Sequence, residues 1–145
     1  MKILRNTILL FLLCSMMLFI ASCGILNSAS EAQTYDFGND SIPSITSVVG
    51  SRKANGVETG TSSGTQYRIF KYGSDDPVSD IQEYIDYLQD RGWLVTAIDS
   101  SSDSGTVQVG IDSLDSGKIL LVTIDYKTSS YEVKAEKMEG TLTRY

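Results

Sequence analysis

The sequence predicts an α+β domain: a mostly antiparallel sheet of about five to six strands, with one main helix, Pro77–Arg91, packed on one face. Three observations carry that expectation. One well-marked amphipathic helix stands among short runs with strand character. The last four runs are joined by turns too short for crossover connections, which makes them an antiparallel meander. Those runs also alternate apolar and polar residues, as a sheet with one covered and one solvated face requires.

The chain opens Met1-Lys2-Ile3-Leu4-Arg5, an uncharged apolar run follows from Ile8 to Ile20, and Ala21-Ser22-Cys23 closes it. A basic head, an apolar core of that length and small residues at its exit are the pattern of a cleavable secretory signal peptide, here 1–22. A spanning helix wants about 20 apolar residues, and the dense run stops short of that. The exit Ile20-Ala21-Ser22-Cys23 resembles a lipobox, in the order aliphatic, small, small, cysteine. This resemblance to bacterial lipoproteins covers the leader and Cys23 alone. It implies a diacylglyceryl group on the Cys23 thiol and cleavage just before that residue. It also implies a lipid anchor, palmitate or similar, holding the protein to the cell membrane on the side away from the cytoplasm.

Loss of the leader removes Lys2 and Arg5 and no acid, so the net charge moves from −6 to −8. Nucleic acid needs a basic patch, and no such partner is expected. Strong attraction to anionic lipid heads is excluded on the same ground, which leaves the acyl chains on Cys23 as the membrane contact. Of the two cysteines, Cys14 leaves with the leader and Cys23 carries the lipid. The folded part therefore has no disulfide and depends on its core. What remains, about 120 residues, suits one domain.

Residues 23–40 read as a lipidated, flexible tether rich in Ser, Ala, Asn and Gly, and 41–145 as the single α+β domain. Ile45, Val48 and Val49 allow one short helical turn that Gly50 stops. Residues 52–59 form a weak first strand, 59–64 a loop, and the aromatic, β-branched run 67–72 the second strand of a hairpin. Asp76 is a natural N-cap for the main helix and Pro77 suits its first position. Val78, Ile81, Ile85 and Leu88 form its apolar stripe, widened by Tyr84. Gly92 then takes the left-handed position and Trp93 falls where it touches Leu88, a Schellman ending.

Trp93 to Ile98 returns as a strand and 99–105 is a loop. In the next strand Val107, Val109 and Ile111 point inward. Residues 118–126 are apolar on both sides, Leu120, Val122 and Ile124 against Ile119 and Leu121, which marks a central strand. Tyr131, Val133 and Ala135 face inward along the last strand, and 139–145 is a ragged tail.

No histidine is present, so the commonest general base near neutral pH and the commonest metal ligand are both missing. No lysine has a serine three places before it, and with Cys23 acylated no thiol nucleophile remains. No glycine motif matches a dinucleotide or phosphate loop, so no cofactor is expected. No metal is expected and no catalytic residue is assigned.

Carboxylates are the remaining resource. Asp75, Asp76, Asp80, Glu83, Asp86 and Asp90 gather on and before the helix and read first as a solvated face, its early acids favoured by the helix dipole. With Tyr87, which lies off the apolar stripe, Asp80, Glu83 and Asp86 make the candidate interaction surface. Asp99, Asp103, Asp112 and Asp115 sit in two loops, and the first pair only faintly resembles a calcium loop, without its sixth-position Gly or twelfth-position Glu. The other tyrosines lie in expected strands and helix, where ordinary packing accounts for them.

The function expected is therefore a membrane-anchored lipoprotein of the cell envelope with a non-catalytic binding or scaffolding domain. Its partner is an unknown protein or envelope ligand. The alternatives are an envelope enzyme using paired carboxylates, and an acidic inhibitor or immunity-type protein. The domain resembles small uncharacterised lipoproteins in which an aromatic strand, an acidic helix ending in Gly-aromatic and a meander follow one another. That resemblance implies no activity and no site residues.

Overall fold

A computed structural model describes residues 33–101 and 103–142. The expected leader 1–22, the expected lipid acceptor Cys23 and the expected tether up to residue 32 lie outside the described residues.

Among the described residues, eight strands and two helices follow in the order β1 (Thr34–Phe37), β2 (Asp40–Pro43), α1 (Ile45–Val49), β3 (Lys53–Ser62), β4 (Thr65–Gly73), α2 (Pro77–Gln89), β5 (Leu94–Ser100), β6 (Ser104–Asp112), β7 (Lys118–Lys127) and β8 (Ser130–Glu139). Strands β3 to β8 make one antiparallel sheet in the order β3-β4-β8-β7-β6-β5. The doubly apolar run is indeed central: β7 lies between β6 and β8. Its inward side chains Leu120, Val122 and Ile124 join Val109, Val133 and Ala135 under the helix residues Ile81, Tyr84, Ile85 and Leu88.

Helix α2 begins and ends as its sequence requires. The Asp76 carboxylate accepts the Ser79 N–H at 3.0 Å, and Pro77 follows at the first position. At the other end Gly92 has φ +87°. The Trp93 N–H reaches back to the Leu88 carbonyl and the Gly92 N–H to that of Gln89, closing the Schellman pattern. One expected stripe residue is misplaced, since Val78 is 63 % exposed. Pro77, one turn before Ile81 on the same side, is buried in its stead. The short turn at α1 forms, capped by the Ser44 hydroxyl on the Ser47 N–H.

The domain starts earlier than composition suggests. Residues 34–40, assigned above to the tether, build β1 and the turn of a two-stranded sheet with β2. Tyr35 is 1 % exposed and stacks on Phe70, with ring centres 4.5 Å apart. Phe37 and Ile42 are buried beside it. Of the expected ragged tail 139–145, the described residues 139–142 are tied down. The Gly140 N–H donates to Gly117, and Leu142 lies over Gly110 next to Leu121 on the outer face. That contact helps bury Ile119 and Leu121 on the side with no helix.

Candidate functional site

Two buried charge centres mark the domain, at opposite ends of the sheet. At the end where α2 begins, Asp80 turns inward from the helix. The guanidinium of Arg52, just before β3, donates to both of its oxygens through Nε (2.7 Å) and Nη2. The Ser74 hydroxyl donates at 2.7 Å, and the Tyr131 hydroxyl reaches it from β8. Burial alone would push the Asp80 carboxyl up, yet the Arg52, Ser74 and Tyr131 donors outweigh that and hold it below its ordinary value. The Tyr131 hydroxyl moves the other way, raised by burial and by the Asp80 charge beside it.

At the other end Lys137, only 5 % exposed, projects inward from β8. Its ammonium lies 2.6 Å from Asp40 on β2 and 2.7 Å from Asp115 in the β6–β7 turn, and donates to the Phe37 carbonyl at 3.1 Å. Asp40 also accepts the Ser113 hydroxyl and the Leu114 N–H. Its burial would raise the carboxyl, but those donors and Lys137 bring it below the ordinary range. Lys137 does the same to Asp115 through their hydrogen bond, and is itself raised by bonding to Asp115 and Asp40.

The expected interaction surface is thus split. Asp80 is not part of it: the residue sits one position before Ile81 at the edge of the buried stripe and is consumed by Arg52. Glu83 and Asp86 are exposed, Asp86 accepting the Gln82 amide at 2.7 Å. Tyr87 is half-buried against the core, with the Arg91 guanidinium 3.5 Å above its ring. Glu83 and Asp86 line a shallow depression of about 550 Å³ with Asp76, Val78, Ser79 and Gln82, and Tyr87 is not part of its lining. A depression of about 730 Å³ lies near the start of α2, and its lining includes Ser51, Arg52, Lys53, Ser74, Asp76 and Asp80.

The loop aspartates stay apart. Asp99 and Asp103 flank the β5–β6 turn, whereas Asp112 and Asp115 stand at the opposite end of β6. Among the described residues no group of three or more His, Cys, Asp or Glu is placed to hold a metal ion. Asp40 and Asp115 do converge, but onto a lysine, and both carboxyls are lowered. A general acid of a glycosidase pair needs the reverse shift.

Neither buried centre was anticipated from the sequence, yet one signal for the second exists. Lys137 continues the inward parity of Tyr131, Val133 and Ala135, and a lysine in that register demands a buried counter-ion.

Together these features define an α+β domain in which a six-stranded antiparallel sheet carries a helix and a small hairpin on one face, with its interior charges neutralised in pairs and triads. No protein-family model matches the chain, and no curated protein or solved structure is significantly similar to it. Among the described residues no helix is long and apolar enough to cross a membrane.

Proposed function

We propose that the chain is a lipid-anchored envelope protein whose domain binds or scaffolds an unidentified envelope component without catalysing a reaction. The observation that carries this reading is the leader: two cations, the apolar run from Ile8 to Ile20, and Ile20-Ala21-Ser22-Cys23 at its exit. The anchor is the lipid on Cys23, and the body works outside the cytoplasm. Support for a non-catalytic role comes from the residue inventory, which has no histidine. It comes also from the buried carboxylates Asp40 and Asp80, both engaged by cations and both held ionised.

Expression of the full chain in a bacterial host tests the anchor. The mature protein should sediment with membranes and show an intact mass that begins at Cys23 plus a diacylglyceryl group. Cys23→Ala should release it from that fraction. Membrane retention and processing identical to wild type in Cys23→Ala would sink the proposal.

A second reading, an acidic inhibitor or immunity-type protein, draws on the exposed acids Asp75, Asp76, Glu83, Asp86 and Asp90 around α2. Binding of a basic protein through that face would weaken steeply with salt. Salt-insensitive capture of the same partner by wild type and by Glu83→Gln/Asp86→Asn would remove this reading.

A further inference from the structure

The β1–β2 hairpin is a sheet of its own. Its strands pair with each other, and no strand pairing joins it to the six-stranded sheet. Side chains hold it down instead. Arg68 of β4 donates twice to the Asp36 carbonyl, at 2.9 and 2.7 Å, and its guanidinium lies over the Phe37 ring. Lys137 of β8 holds the Phe37 carbonyl and the Asp40 carboxylate. On the other side the Tyr84 hydroxyl donates to the Pro43 carbonyl.

We propose that this hairpin is a strap that lifts from the sheet as a unit, with the Asp40–Lys137 contact as its latch. Undocking breaks side-chain contacts and leaves the six-strand ladder whole, which is the condition for a local opening below the global one. The latch is built to open without stranding a charge. Asp115 belongs to the β6–β7 turn and stays with Lys137 when Asp40 departs, so the cation keeps a counter-ion while Asp40 regains water. The closed state is favoured by Tyr35 and Phe37 burying against Phe70 and its neighbours. A docked and an undocked state of one element, each with its charges compensated, make a two-state device. The inference does not depend on the lipid anchor.

Hydrogen–deuterium exchange on the full chain under native conditions tests it, comparing amides of 34–43 with those of β7 and β8. In wild type the hairpin amides should exchange faster than the central strands. Asp40→Asn should speed them further by about tenfold or more and leave them faster than β7 and β8, which lose no more protection than the hairpin does. A common rate for hairpin and sheet in wild type, or no acceleration of 34–43 in Asp40→Asn, overturns the strap. Should Asp40→Asn fail to fold, Ser113→Ala takes its place, since it keeps both charges and removes one bond to Asp40. Acceleration that leaves 34–43 faster than β7 and β8 supports the proposal, and no acceleration, or rates merging with those of β7 and β8, overturns it.

Discussion

The two buried charge centres solve one problem differently. Asp80 is served by a guanidinium that keeps 27 % of its side-chain surface in solvent, while Asp40 is served by an ammonium with 5 %. Arg52 makes a planar two-bond clamp from the rim, with Ser74 and Tyr131 filling the remaining acceptor positions. Lys137 is a point charge shared between two carboxylates and a carbonyl, brought from the β1–β2 hairpin (Phe37, Asp40) and the β6–β7 turn (Asp115). A clamp at the rim can be replaced by water when it is lost. A charge in the interior cannot.

That contrast sets the order of the expected effects. Lys137→Ala leaves Asp40 in the interior with the Ser113 hydroxyl and the Leu114 N–H but no counter-ion, and should cost about 3–5 kcal/mol of unfolding free energy, read from the denaturant midpoint. Arg52→Ala leaves Asp80 with two hydroxyl donors and access to water, so its cost should be about 1–3 kcal/mol. An equal loss in the two variants would erase the distinction between rim and interior. Mild acid should have the smallest effect and act on both centres together. Asp40, Asp80 and Asp115 are all lowered in the folded chain, so each contributes stability in its ionised form. That contribution is complete above the ordinary carboxyl value of about 4 and is lost as pH falls through the folded values below it. Denaturant titrations at about pH 6 and about pH 3 should therefore show a lower midpoint in acid, and an unchanged or higher one would contradict the assignment.

Local signals made much of this fold legible. Asp76, Pro77, Gly92 and Trp93 mark the ends of α2 because capping is read within a few residues. Strands β6 to β8 declare their inward faces by alternation, and β7 its central place by being apolar on both sides. The β1–β2 hairpin escaped for two reasons. Each strand offers only four residues of alternation, and the stretch Asp36 to Ser41 is polar enough to pass for linker. A signal was present, though: Gly38-Asn39 between Tyr35-x-Phe37 and Ile42 fits a two-residue hairpin turn, and Gly38 has φ +69°. The charge centres were less accessible still, because Asp40 and Lys137 meet only after the whole sheet has formed, and Asp80 looked like one acid among six on a helix.

Docking of the hairpin also fixes how far the domain could stand from a bilayer. With the lipid on Cys23 as proposed, the leash to Thr34 is eleven residue steps, about 40 Å at full stretch. Release of 34–43 with β1 and β2 also parted, since Thr34 and Pro43 otherwise stay paired, would pay out ten more and bring the limit to about 75 Å. A contact on a side chain of β8 would then govern the radius that the domain can sweep around its anchor.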